Sequence, residues 1–270
     1  MYFADTHMHS ICSHDSETPR HAQAEAAVAL GMDEICITDH YNLIDDYRNL
    51  HLHYDWTQPR YEQDLALKKW GDKVKISYGI EIANVSTCFE SAEEAMQEEG
   101  LDYVICAVHS LSKERGGDSL FLTRYKTPEM CYDYIEDYFK NVLESVHWNK
   151  FDTLAHLPYP MRYMRDRDGQ DVNLDNYQDR IYEILKLLVE NGRCLELNTK
   201  GWSPKIINDY SAVFKRYKEL GGEMVSVGSD AHIPSDVGAH VLQAYDLLKS
   251  LGFKYLTLFE KRQPKMLPFD

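Results

Sequence analysis

Apolar runs with a strand-like period of two alternate along the whole chain with stretches of helical period. Strands are expected at about 2–6, 34–38, 74–81, 102–108, 151–155, 193–197, 223–227 and 254–258. The stretches between them read as helices, and several carry end signals. Thr18-Pro19 opens one helix and Gly31 closes it, the cap residue preceding a proline at the first helical position. Ser91-x-x-Glu94 reads as a capping box for a helix ending near Gly100. Thr127-Pro128 opens the long amphipathic stretch TPEMCYDYIEDYFKNVLESV, and Ser203-Pro204 opens another that Gly221-Gly222 closes.

Strands alternating with helices imply βαβ units and a parallel sheet. Seven or eight such units within 270 residues predict closure into a barrel. No repeat, low-complexity tract or Pro/Ser-rich linker divides the chain, so one domain over 1–270 is expected. The longer loops, about 41–57, 110–126 and 157–172, follow strand ends, where substrate contacts are usual.

Metal-binding residue types fall just past the ends of the apolar runs. His7 and His9 follow YFADT, His40 follows EICITD, and Glu81 ends VKISYGIE. His109 follows YVICAV, His156 follows FDTLA, and Asp230 with His232 follows MVSVGS. His14 lies in the loop after the first run, with Asp15 beside it as the alternative ligand. Parallel α/β folds place their chemistry at strand C-termini, so this pattern points to a polynuclear metal centre. His7-x-His9 at a strand end sets two imidazoles on one side. Glu81 ends an otherwise apolar strand, a costly place for an acid without a partner, and a carboxylate there can bridge two ions. Asp39, before His40, and Asp5, two residues before His7, are expected to orient those imidazoles. His21, His147 and His240 read as surface residues on helices, while His51 and His53 lie in a loop within reach of substrate. Nitrogen and oxygen ligands without thiolate suit Zn, Mn or Fe.

Composition narrows the partners. The formal charge of −15 excludes a nucleic-acid backbone as partner. Three bound divalent ions would offset roughly +6 of it and focus positive charge where an anionic substrate docks. No stretch is long and apolar enough to span a bilayer, and MYFADTHMH has neither the basic region nor the apolar core of a secretory leader. The six cysteines show no C-x-x-C, and Cys36, Cys106 and Cys194 sit in apolar runs as small hydrophobes. A reducing, cytoplasmic setting is expected.

These motifs resemble the polymerase and histidinol phosphatase (PHP) superfamily. DTHMHSICSHD, the TDH at 38–40, the Glu81 strand with Val108-His109, His156 in AHL, and Gly228-Ser229-Asp230-Ala231-His232 are similar to its signatures, in order. The resemblance implies a distorted (β/α)7 barrel with a trinuclear centre at the strand C-termini. Its pattern gives the first ion His7, His9, Glu81 and Asp230. The second would take the bridging Glu81 with His109 and His156, and the third His14, His40 and His232. AHLPYPMRY and LELNTKG resemble the histidinol-phosphate phosphatase branch, which implies Arg162 as a phosphate ligand. A second phosphate contact stays open among Lys200, Lys205 and Arg115.

The implied reaction is hydrolysis of L-histidinol phosphate to L-histidinol and phosphate by water activated between ions. Glu81, Asp230 and His232 would serve catalysis, with Asp230 or a coordinated water supplying the leaving-group proton. Tyr41, Asp45 and Tyr163 are candidates to meet the substrate's ammonium and imidazole. Alternatives are nucleotides or other small phosphate esters as substrates, and a metal-dependent amidohydrolase with Lys200 as a ligand. A non-catalytic, metal-stabilised accessory domain is the reading from another class.

Overall fold

The structure, a computed structural model, describes residues 1–269. In chain order the main elements are β1 (Ala4–Met8), α1 (Arg20–Ala29), β2 (Glu34–Asn42), α2 (Thr57–Trp70), β3 (Lys75–Ala83), α3 (Phe89–Ala95) and β4 (Tyr103–Ala107). They continue with α4 (Pro128–Trp148), β5 (Thr153–Leu154), the short α5 (Tyr159–Met161), α6 (Gln178–Glu190) and β6 (Cys194–Asn198). The last are α7 (Pro204–Glu219), β7 (Val225–Gly228), α8 (Val241–Ser250), β8 (Tyr255–Glu260) and β9 (Gln263–Pro268).

Strands β1 to β7 form one parallel sheet in sequential order. A parallel bridge between Met8 and Ala231, with His9 N donating to Ala231 O at 2.8 Å, brings the first and last strands together. The result is the expected seven-stranded, distorted barrel. Within β3, Ile80 and Ile82 face the helices and join the large outer core, whereas Gly79 and Glu81 face the lumen. The lumen is filled by a small cluster that includes Cys36, Tyr103, Ile105, Cys194 and Phe259, while Cys106 packs outward. All six cysteines are free thiols. Among the described residues no helix is long and apolar enough to cross a membrane.

Helix start signals hold where a side chain caps. Thr127 and Ser203 accept from the backbone N–H groups of Met130 and Ile206. Two others fail. Thr18 donates its hydroxyl to His232 O instead, leaving Pro19 as an uncapped start. Ser91 lies inside α3, which runs only from Phe89 to Ala95, and its hydroxyl points to Cys88 Sγ.

The run at 254–258 is not an eighth barrel strand. As β8 it pairs antiparallel with β9. The two are joined by Lys261-Arg262, both at positive φ, in the turn type that matches strand twist. Phe259 stacks on Tyr103 at 4.9 Å, and Lys261 N and the Arg262 guanidinium reach Asp102 and Asp152 at the N-terminal ends of β4 and β5. This hairpin plugs the end of the barrel opposite the histidines.

The three long loops are tied together over the open end. Asp46 accepts from Ser119 at 2.6 Å, Arg48 pairs with Asp118 at 2.6 Å, and Asp168 accepts from Tyr125 N at 2.9 Å.

Candidate metal centre

Eight of the predicted ligands converge where β1–β5 and β7 end. His7, His9, Glu81 and His156 are almost wholly buried, and the ligating atoms form four overlapping groups. These are His7/His9/Asp230, His7/Glu81/His156, His40/Glu81/His109 and His9/His40/His232. The parallel register sets His40 directly beside Glu81, so the β2–β3 ladder itself makes that pair. His156 and Asp230 hold positive φ, at 22° and 56°, conformations that side-chain-bearing residues keep only when their surroundings enforce them.

Glu81 lies at the centre. Its Oε1 is 2.9 Å from His156 Nε2, 3.4 Å from His109 Nε2 and 3.5 Å from His7 Nε2. Its Oε2 lies 2.7 Å from His40 Nδ1 and 3.7 Å from His9 Nε2. Burial alone would raise this carboxyl, but His7, His109 and His40 hold it well below the usual range. Asp230 is likewise depressed against its burial, chiefly by Lys200 and His9. Burial pulls the values of His7, His9, His40 and His156 down. Glu196 and Glu81 nevertheless lift His7 well above its ordinary range, and Glu81 and Asp15 lift His40 to about 10. His9, crowded by His40 and His232, stays well below.

This donor set fits divalent cations. Imidazole nitrogens face one another at 3.2 Å (His7 to His9) and 3.4 Å (His109 to His156), an arrangement for lone pairs sharing a cation. Glu81 Oε2, His40 Nδ1 and His156 Nδ1 are buried without a hydrogen-bond partner; the first two lie close but out of alignment. Buried polar atoms seldom go unpaired, and a metal ligand set accounts for those facing the cluster centre.

His14 does not join the other eight. Its Nε2 turns outward to Asp46 at 3.3 Å. Asp15 comes in instead, with Oδ2 3.0 Å from His232 Nε2 and 3.5 Å from His40 Nε2. Neither expected orienting acid touches an imidazole. Asp39 accepts from Ser10 N (2.6 Å) and Ser13 Oγ (2.7 Å) and pairs with the buried Arg20 (2.7 Å), so it fixes the ligand loop. Asp5 accepts from Ser229 N and Gly238 N, 2.8 and 2.9 Å away, and so fixes the loop after β7. The acid that holds His7 is Glu196, not singled out in the sequence, whose Oε1 accepts from Nδ1 at 2.6 Å. The available signal was an acid inside an apolar strand, the same signal that marked Glu81.

Two of the four basic candidates border the centre. Arg162 is buried, its Nη2 2.6 Å from Asn198 Oδ1 and its Nη1 3.4 Å from Asp230 Oδ2, with its guanidinium over the Tyr159 ring. Lys200 Nζ lies 3.3 Å from Asp230 Oδ1 and 2.9 Å from His232 Nδ1. That nitrogen is also 2.9 Å from the Asp230 carbonyl, so it donates there when protonated and accepts from Lys200 when not. Arg115 lies instead on the surface, paired with Asp133, and Lys205 is exposed on α7, so neither reaches the cluster.

A cavity of about 290 Å³ opens above the cluster, walled by Phe121, Tyr159, Tyr163, Asp46 and Lys200. That size suits a small substrate. Tyr163 is part of this wall. Tyr41, Asp45, His51 and His53 line an adjoining cavity of about 270 Å³, which shares His14, His40 and Asn42 with the first. His21 is on α1, His147 at the end of α4, and His240 just before α8, all away from the cluster.

Comparison with known proteins bears on the family and the fold. The family model for the PHP domain matches residues 5–200. The probable histidinol-phosphatase of Thermotoga maritima is 31% identical over 96% of this chain and 96% of its own. The histidinol-phosphatase of Lactococcus lactis subsp. lactis is 28% identical over 94% of this chain and 93% of its own. In fold, the crystal structure of histidinol phosphate phosphatase from that Lactococcus, complexed with zinc, L-histidinol and phosphate, superposes with a TM-score of 0.81. It covers 97% of this chain and 98% of its own at 24% identity. On the match over most of its length, the chain belongs to the PHP domain family.

Proposed function

We propose that this chain is a metal-dependent phosphomonoesterase, one catalytic domain acting on L-histidinol phosphate, with products L-histidinol and phosphate. The observation that carries this reading is one buried carboxylate, Glu81, shared by imidazoles from four strand ends, with Arg162 and Lys200 at the border of the same cluster. Support for the substrate comes from the relatives named histidinol-phosphatase, which match nearly end to end.

His7, His9, Glu81 and Asp230 would hold one ion, Glu81, His109 and His156 a second, and His40, His232 and Asp15 a third. Asp15 replaces His14 because its carboxylate already reaches both imidazoles. Zn, Mn and Fe all suit these donors. Such ions supply Lewis-acid polarisation of the phosphoryl oxygens and acidify water toward neutrality.

The protein's own groups do the rest. Arg162, held by Asn198 and stacked on Tyr159, offers a planar donor pair to two phosphoryl oxygens. Lys200 adds a mobile point charge as negative charge builds on the equatorial oxygens. Asp230, ionised between Arg162 and Lys200, is a hydrogen-bond acceptor for both in the resting site. Phe121 and Tyr163, 5.4 Å apart edge to face, make an apolar wall for a flat ring, and the Asp46 carboxylate is placed for an ammonium.

The test is phosphate release from L-histidinol phosphate, from nucleotides and from an aryl phosphate, compared after loading with Mn or Zn. Selective turnover of the first supports the reading. Preference for nucleotides would keep the metal chemistry and change the substrate, and no release from any ester would leave a non-catalytic metal domain.

A further inference from the structure

Three hydrogen-bond donors converge on Glu196, a fully buried acid on β6. His7 Nδ1 lies 2.6 Å from Oε1, and Oε2 accepts from His156 N at 3.0 Å and from Asn198 Nδ2 at 3.2 Å. A carboxylate can only accept, so all three are satisfied; an amide would set its NH2 against at least one of them. The contact also fixes the proton of His7 on Nδ1 and leaves Nε2 free on the side of Glu81 and His9. The Oε2 contact anchors the positive-φ backbone of His156. Gly228 closes in from behind: a β-carbon there would sit 2.2 Å from His7 Cβ and 2.9 Å from Glu196 Oε1.

Asn198, two residues on and also buried, uses both ends of its amide. Its Nδ2 faces the carboxylates of Glu196 and Asp230, at 3.2 and 3.3 Å. Its Oδ1 accepts from Arg162 Nη2 at 2.6 Å and from Lys200 N at 3.1 Å. An aspartate would crowd three carboxylates together, and an alanine would leave Arg162 with Asp230 alone at 3.4 Å. The period of two puts both side chains on one face of β6.

We infer that Glu196 and Asn198 are a positioning pair, Glu196 serving metal affinity through His7 and His156, and Asn198 serving phosphate affinity through Arg162. This rests on the phosphatase reading of the site. The two functions meet at Asn198 Nδ2, which faces both Glu196 Oε2 and Asp230 Oδ2, yet separate substitutions divide them.

The experiment uses the full chain as wild type, Glu196→Gln and Asn198→Ala. Metal affinity is read against a chelating metal buffer, inorganic phosphate is titrated as inhibitor at saturating metal, and thermal unfolding checks the fold. In E196Q metal affinity falls about 10- to 100-fold, the usual loss when a ligand's orienting partner is removed, and phosphate inhibition stays near wild type. In N198A metal affinity stays near wild type and phosphate inhibition weakens about tenfold or more, the loss of one hydrogen bond to a charged group. Wild-type values in both variants overturn the inference, as does equal loss of both properties in both variants at an unchanged melting temperature. If E196Q does not fold, N198A decides alone: wild-type phosphate inhibition there overturns the pair. A wild-type chain that neither hydrolyses nor binds phosphate overturns the parent reading and the Asn198 half; metal affinities then decide the Glu196 half.

Discussion

The Asp15 carboxylate lies 3.0 Å from Nε2 of His232, bringing a loop near the start of the chain onto an imidazole near its end. Its neighbour His14 points the other way, to Asp46. Asp15→Asn is therefore expected to lose one equivalent of metal and at least about tenfold in turnover, a ligand being worth no less than an orienting partner. His14→Ala should keep the metal and lose less activity. Metal analysis of the two purified variants checks this, and the opposite ranking would return the ligand role to His14.

Arg162→Lys keeps the charge but not the planar fork, so the Michaelis constant for a phosphate ester should rise about tenfold or more. Arg115→Ala and Lys205→Ala, far from the centre, should leave turnover close to wild type. Steady-state kinetics on the three variants separates the one buried guanidinium from the two surface cations.

How far the sequence foretold this centre depends on where each residue's partners lie. Candidate ligands at strand ends are legible because strand period and burial can be read locally, and the resemblance to family signatures suggests their grouping. Thr127 and Ser203 were legible because a cap acts within its own turn. Thr18 and Ser91 carried the same signal, but His232 O and Cys88 Sγ compete for their hydroxyls. Asp5 and Asp39 read as partners of the nearby His7 and His40, yet their nearest donors are backbone groups, serine hydroxyls and Arg20, brought in by tertiary structure. The β8–β9 turn, Lys261-Arg262, has positive φ without glycine or asparagine, so nothing local announces the hairpin.

Metal uptake should release protons. In the metal-free chain burial lowers His40, but Glu81 and Asp15 outweigh it and raise it to about 10, above its ordinary 6.5. It is then protonated near neutral pH, whereas a ligand imidazole must be neutral. Affinity for metal should therefore rise with pH toward that value. The stability that protonated His40 gives the metal-free fold is full below 6.5 and lost as pH rises through about 10. Calorimetry of metal binding in buffers of different ionisation enthalpy measures the proton count. An uptake enthalpy independent of buffer would contradict it.

Arg20 and Asp39 form a buried ion pair at 2.7 Å, with side chains almost wholly inaccessible. Arg20→Ala leaves Asp39 charged and uncompensated, so unfolding should become easier by about 3–5 kcal/mol. The loop holding Ser10 and Ser13 should loosen with it. Denaturant unfolding of the metal-free variant reads the first effect, and metal affinity reads the second.

The most direct test of a metal-dependent histidinol-phosphate phosphatase is to strip the chain with a chelator and follow phosphate release from L-histidinol phosphate as divalent ions are returned. Activity should be absent in the stripped protein and should climb to a plateau at three ions per chain. Full turnover without metal, or a fully loaded chain that leaves histidinol phosphate intact, would contradict it.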